Sequence, residues 1–495
     1  MKSLHLKHLK YVAPNLLLTI SLTSFSACVP QITDVPKDSH ISLNLSQSQE
    51  SINAHWWEDF HNPALLYLLE HAREFNTQNK LAKTHIEMAR NDLKIARAKL
   101  YPNMNLSIDP AYNQTILHPL YALTQGNVDF SYHLDFFGKY RYAKQSKHYA
   151  LQASIAQSYA TQLFVDMLVA KTYITLLGAY ARLELLQTTL EARQKELNIM
   201  QDRNNMGYIS TYDVKQAVIA YESVQTQIAD TKLSIATSKN ALEYLTGVDV
   251  DSEEFIALQG FSVKYQEDMA QNATSIESQN ASLVSATDVF ITLQAPKLPD
   301  SISSKLLHNR PDVLYAEFML ASSSAYLQKA RADFLPDFNI GLNLGAIGYA
   351  NFTQFLTLGG VTGSVLTPLF KGGELEGAFG IANAQRDEAA YIYRDVVIRA
   401  YREARDAYMS VSYLNLERNS TKKQQEAAKE ALAHARSRYD TGYSSYLEVV
   451  DAQRSLLEIE TNLITLKTLY LESMFTLYGA LGGGMQYQAE DFKQE

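Results

Sequence analysis

Ala96-Arg97-Ala98-Lys99-Leu100-Tyr101-Pro102-Asn103-Met104-Asn105-Leu106-Ser107-Ile108-Asp109 changes its period in the middle. Up to Leu100 it consists of good helix formers. After Pro102 polar and apolar residues alternate strictly, the period of a strand. The same change of pattern returns as Ala330-Arg331-Ala332-Asp333-Phe334-Leu335-Pro336 followed by Phe338-Asn339-Ile340-Gly341-Leu342-Asn343-Leu344. Two further landmarks recur: Phe136-Phe137-Gly138 as Phe370-Lys371-Gly372, and Met206-Gly207-Tyr208 as Thr441-Gly442-Tyr443. Pro102 to Pro336, Gly138 to Gly372 and Gly207 to Gly442 are separations of 234, 234 and 235 residues. Such a unit is too long for a solenoid repeat and reads as a duplicated structural half.

Each half reads helix, strand, strand, long helix, long helix. Pro63 and Pro102 bracket a helix-forming stretch free of glycine and proline, and Pro311 and Pro336 bracket its counterpart. The second strand of the first half is Val128-Asp129-Phe130-Ser131-Tyr132-His133-Leu134-Asp135-Phe136. Its counterpart is expected within residues 361–370, where alternation is poorer and Pro368 interrupts. A half-buried strand in a soluble sheet and a transmembrane β-strand share this signature. Residues 139–206 hold no proline and one glycine, Gly178, and residues 381–441 hold neither. Helices of that size are on the order of 90 Å long at 1.5 Å per residue. Val449, Ala452, Leu456, Ile459, Leu463 and Leu466 alternate steps of three and four, as do Val214, Ala217, Tyr221, Val224 and Ile228. That is a coiled-coil seam. Residues 249–300 are polar and without period, a linker between the halves.

The chain has 495 residues and a net charge of −9, which argues against a general nucleic-acid binder. Lys2, Lys7 and Lys10 precede an apolar stretch from Leu16 to Phe25, too short to span a bilayer. Ser26 and Ala27 then lead to Cys28, the only cysteine, so a disulfide within one chain is excluded. A lone buried cysteine is the plain reading. Its position resembles a bacterial lipobox, which would make Cys28 the lipidated first residue of the mature protein. Val29 in place of aspartate fits sorting to the outer membrane. No later run of 18 apolar residues exists, so a membrane crossing has to use strands. Four strands cannot close a barrel, because membrane barrels begin near eight. An open edge in lipid costs several kcal/mol per unpaired group. If these strands lie in a membrane, several chains must therefore share one barrel, and three would supply twelve strands. The charged outer faces of the long helices place them in the periplasm as a coiled-coil tube.

The order of elements, the duplication and several motifs resemble the TolC-type outer-membrane efflux proteins, in the OprM/NodT-like lipoprotein branch of tripartite pumps. The motifs are Trp56-Trp57-Glu58-Asp59-Phe60 with Pro63 and Leu65, and His133-Leu134-Asp135-Phe136-Phe137-Gly138. Asn309-Arg310-Pro311-Asp312-Val313 with Ala316-Glu317, and Ala384-Gln385-Arg386, are the most specific. Tyr446-Leu447, Asp451-Ala452-Gln453-Arg454 and Ala480-Leu481-Gly482-Gly483-Gly484 complete the set. The resemblance implies an α+β homotrimer in which a twelve-stranded β-barrel continues into a periplasmic α-helical barrel. It also implies a passive exit duct that receives drugs or other small toxic solutes from a periplasmic adaptor and an inner-membrane pump. The expected organisation is a signal peptide at 1–27 and an equatorial tail at 28–60. A first repeat at 61–248, a linker at 249–300, a second repeat at 301–484 and a tail at 485–495 follow.

Arg203 to Gly207 and Arg438 to Gly442 share one spacing at the two hairpin tips. An ordinary helical hairpin accounts for the glycines; the resemblance adds contact of both tips with the adaptor. Leu447 and Asp451 lie four apart on one helix face, off the seam. By resemblance they match the constriction of the periplasmic gate, with Arg454 and neighbouring Glu448 in its charged surround. Three leucines would exclude hydrated solutes, and three aspartates would need counter-charges. A solvated helix face is the plain alternative. The first copy has Tyr212 and Gln216 at these places.

No catalytic residues, metal ligands or cofactor are expected. There is no His-Glu-x-x-His, and Gly482-Gly483-Gly484 lacks the Lys-Ser/Thr of a phosphate loop. Two rivals remain beside the efflux duct: a duct for type I protein secretion, and a coiled-coil lipoprotein that tethers the envelope. The second leaves the four alternating segments unexplained.

Overall fold

The computed structural model describes residues 29–39, 56–115, 118–259, 290–291, 293, 307–349 and 355–483. Cys28, the signal segment, the C-terminal tail and most of the 249–300 linker lie outside them. In chain order the main helices are α1 (Pro63–Phe75), α2 (Thr77–Ala98), α3 (Lys139–Asn205), α4 (Thr211–Thr246), α5 (Glu253–Gln259), α6 (Pro311–Ala332), α7 (Glu374–Asp440) and α8 (Tyr446–Ala480). The strands are β1 (Asn103–Thr115), β2 (His118–Leu134), β3 (Asp337–Tyr349) and β4 (Phe355–Leu366). The described residues fall into two compact units, and α2, α3 and α7 contribute to both.

One unit contains the strands with 84–157 and 312–397. They form one antiparallel sheet in the order β1-β2-β3-β4. Pairing aligns the alternation across all four. Asn105, Asp129, Asn343 and Gly360 stand in one row, and Met104, Phe130, Leu342 and Val361 in the next. Cross-strand partners share a face, so one face is largely polar and the other apolar. On the polar face Asn343 donates to Asp129 and Ser131 to Asn339. On the apolar face Met104, Leu106, Ile108, Leu342, Leu344 and Val361 are exposed. β1 and β4 are both edges, 13 and 12 residues long.

Three strands are longer than their alternating cores. β2 begins at His118 and ends at Leu134, two residues short of the expected end. There the chain turns: Phe136 N–H bonds Leu134 O, and Gly138 takes φ +79°. The fourth strand is displaced from the expected 361–370. β4 stops at Leu366, because Pro368 has no N–H for a ladder, and it reaches back to Phe355.

The other unit holds the described residues within 158–311 and 398–483, with 56–83. The first expected helix is two helices. Asn76, buried and extended at ψ 128°, ends α1 by donating its N–H to Ala72 O. Its side chain bonds Leu245 O and accepts from Gln78 N, which starts α2. α7 begins at Glu374, earlier than expected, and absorbs Gly377 and Gly380. The coiled-coil seam of α4 continues beyond Ile228 through Thr231, Ile235, Ser238 and Leu242. The seam expected on α8 is corrected in part: Val449 and Leu466 are buried, but the other buried positions near the start are Tyr446, Gln453 and Leu457, while Ala452, Leu456, Ile459 and Leu463 are half-buried. α8 packs against several helices of its own chain, so no single narrow stripe covers its contacts.

Gly178, the one glycine of the long first tract, marks a close crossing, since a Cβ there would strike Thr468 of α8. Phe60 stacks on Phe475, with ring centroids 4.7 Å apart, and Trp57 lies 4.1 Å from the Arg73 guanidinium. Arg73 in turn forks onto Asp166, which is 1% exposed. Within α3 an 18-residue window is apolar enough to cross a membrane, but 67% of it is buried in the chain's own packing.

Candidate functional site: the hairpin tips and the groove beside them

Both long helices end in the same turn. Gly207 and Gly442 take φ +81° and +79°, which L side chains rarely adopt. Tyr208 N–H bonds Arg203 O at 2.9 Å and Tyr443 N–H bonds Arg438 O at 2.8 Å. With the Gly207–Asn204 and Gly442–Tyr439 bonds these are Schellman turns. The repeated arginines thus occupy the position whose carbonyl receives the long bond, a backbone role open to any residue. Met206, Tyr208 and Tyr443 stand exposed at the tips.

The next helix starts differ. Ser210 and Asp213 form a full capping box at α4. Ser445 makes no side-chain cap at α8, and Glu448, in the place of Asp213, reaches Arg438 at 3.4 Å instead. Glu448, grouped by sequence with the gate, pairs within one chain with Arg438 of the second hairpin.

Leu447 is 40% exposed. Asp451 and Arg454 are 3.5 Å apart with side chains 55% and 74% exposed. All three line one groove of about 660 Å³ with Gln216, Ile219 and Ser223 of α4. Gln216, the first-copy counterpart of Asp451, thus shares the groove with it. An ion pair this open contributes little within one chain.

Arg193, which also lines the groove, belongs to a largely buried polar network that the sequence reading missed. Arg193 of α3 donates to Gln453, whose amide donates to Glu196 at 3.0 Å; Arg193 and Glu196 are 3.8 Å apart. Burial lowers the Arg193 pKa, with Glu196 opposing. Burial raises that of the Tyr446 hydroxyl, and Glu196 adds to the rise. The available signal was Gln453, a polar residue in step with Val449 and Leu457. Farther along the chain Arg310 gives the Asn309–Asp312 motif a structural task. Its Nη1 donates to Ala480 O, at the end of α8, at 2.9 Å, and its Nη2 meets Glu403 at 2.7 Å. Among the described residues no three His, Cys, Asp or Glu side chains are placed to hold a metal ion.

The model of the family described as outer membrane efflux protein matches residues 68–248 and 302–483, one stretch in each copy of the repeat. The chain belongs to that family. The outer membrane efflux proteins it resembles include the pyoverdine export protein OpmQ of Pseudomonas putida. OpmQ is 27% identical over 488 residues, covering 95% of this chain and 96% of that protein. Cation efflux system protein CusC of Escherichia coli is 24% identical over 457 residues, covering 91% and 93%. Among solved structures, CusC superposes with TM-score 0.76 at 23% identity, covering 92% of this chain and 99% of that one. The CmeC outer membrane channel of Campylobacter jejuni gives TM-score 0.76 at 23% identity, covering 92% and 94%.

Proposed function

We propose that three copies of this chain form a passive exit duct of the outer membrane, fed by a periplasmic adaptor and an inner-membrane pump. The observation that carries this reading is the sheet. Its exposed apolar face suits lipid and its polar face suits a water-filled lumen. Its two long edges cannot stay bare in a bilayer. Pairing β4 of one copy with β1 of the next removes every edge, and three copies give twelve strands. The helices supply the periplasmic part of the tube, and Cys28 carries the lipid.

The cargo is a small solute rather than a protein. Relatives named for pyoverdine export and cation efflux support that choice over type I secretion. At the periplasmic end Leu447 and Asp451, three of each, form the constriction, Arg454 supplies counter-charge, and the tips around Gly207 and Gly442 meet the adaptor. Purified protein in planar bilayers tests the duct: it should give uniform conductance steps from heat-resistant trimers. A water-soluble particle that leaves bilayers insulating would refute it and favour the envelope tether.

A further inference from the structure

Arg418 and Lys422 stand four residues apart on one face of α7. Lys467 of α8 joins them in lining one cavity of about 710 Å³. Like charges gathered in this way need counter-charge, and the chain supplies little. Two carboxylates reach the cavity. Glu460 is occupied by Gln425 at 2.9 Å and by Lys429 at 3.6 Å. Glu426, Arg418 and Lys422 make no ion pair among the described residues.

Arg418 is held in place. Its Nη2 donates to Asn415 Oδ1 at 3.0 Å, and its guanidinium lies 4.6 Å from the centre of the Tyr470 ring. Its Nε is buried and has no acceptor among the described residues, an unmet donor on a charged group. Lys467 gives one of its three N–H groups to Ile291 O at 2.5 Å. Burial, and then the charges of Arg418 and Lys422, lower its pKa to about 8. The remaining walls are apolar: Leu185 of α3, Leu463 and Ile464 of α8, and the buried Phe290 and Leu293. Small-molecule sites occupy about 300–1,000 Å³ and combine apolar walls with a few convergent polar groups. This cavity has that build, with cations as its polar groups.

We propose that the cavity binds an anionic amphiphile. Its acidic headgroup, carboxylic or phosphoric, sits among Arg418, Lys422 and Lys467, and its apolar tail lies against Leu185, Leu463 and Ile464. Phe290 and Leu293 belong to the same wall, so the bound molecule fastens their segment to α7 and α8. All the lining residues belong to one compact unit of one chain, so the inference does not rest on the trimer.

Thiol protection tests it. Cys28 is the only cysteine, so in a Cys28→Ser background Leu463→Cys places a single thiol on the wall, and Leu185→Cys is a second reporter. The full-length protein in lipid nanodiscs is labelled with N-ethylmaleimide in the presence of decanoate, decyl phosphate, inorganic phosphate or decanol. Saturating decanoate or decyl phosphate should slow labelling at least tenfold, and inorganic phosphate and decanol less than twofold. Arg418→Gln with Lys422→Gln should raise the protecting concentration at least tenfold, and an unchanged labelling rate without additive checks that the cavity is intact. The comparison of additives needs no charge variant and stands if that variant fails to fold. Equal protection by inorganic phosphate would overturn the tail contact, and equal protection by decanol would overturn the headgroup contact. An unchanged protecting concentration in the double variant would overturn the place of the headgroup. Reporters that are unreactive without additive would mean that the chain itself or a second copy fills the cavity, which also overturns the proposal.

Discussion

Asp451→Ala is expected to open the duct without unfolding it. Within one chain Asp451 and Arg454 are 3.5 Å apart and more than half exposed. A pair of that kind contributes at most about 1 kcal/mol. A pair of the same exposed kind made between copies in the closed ring, three times over, is worth up to about 3 kcal/mol, and at 1.4 kcal/mol per factor of ten its loss should raise the open-to-closed ratio up to about 100-fold. Open probability in single-channel recordings measures that ratio directly. Glu448→Ala is the internal comparison, because Glu448 faces Arg438 rather than the groove, and it should change the ratio little. Gln453→Ala is the opposite comparison: it strips Arg193 of a buried partner and should lower heat stability. Unchanged open probability in Asp451→Ala trimers would remove Asp451 from the gate. An equal rise in Glu448→Ala would move the closing contact to the hairpin tip.

Asp166→Ala leaves Arg73 beside a buried vacancy and should cost about 3 kcal/mol, whereas Asp166→Leu with Arg73→Leu should come within about 1 kcal/mol of wild type; denaturant midpoints separate them. Lys467, bonded to Ile291 O at 2.5 Å, has its pKa lowered to about 8 by burial and by Arg418 and Lys422. Because the folded value lies below the unfolded 10.5, the unfolded chain binds more protons between them, and stability should rise with pH across that interval. Lys467→Met should abolish that rise in the heat-dissociation midpoint; an unchanged pH slope would exclude Lys467 as its source. Gly442→Ala meets no neighbouring atom, so its cost is the left-handed backbone alone, about 1–2 kcal/mol. Hydrogen exchange should quicken at the second tip and stay unchanged at the first.

What could be read from the sequence was local. Alternation from Asn103 and from Phe338 announced β1 and β3 because a pleat sorts every second residue to one face. Gly207 and Gly442 announced the tips because a Schellman turn needs positive φ. β4 was misplaced because Leu356 and Leu358 fall on the polar face with Gly360 and Thr362, which erases the period. The break at Asn76 was hidden in a run of helix formers, and its deciding partner, Leu245 O, is remote in sequence. The same remoteness concealed what Arg310 and Arg386 do. Both hold backbone carbonyls far along the chain, and a carbonyl leaves no signature in side-chain pattern. The groove was half legible: the spacing of Leu447 and Asp451 put them on one face, but Gln216 opposite and the Arg193 network came only with the packing of α3, α4 and α8.

In the proposed duct the chains share one barrel by pairing β4 with β1. Because Cys28 is the only cysteine, a Cys28→Ser background allows Asn105→Cys on β1 to be combined with single cysteines scanned along β4. At one β4 register, oxidation in the membrane should yield a covalent ladder that ends at three chains. A ladder that stops at two or runs beyond three, or no cross-link at any register, would contradict that pairing.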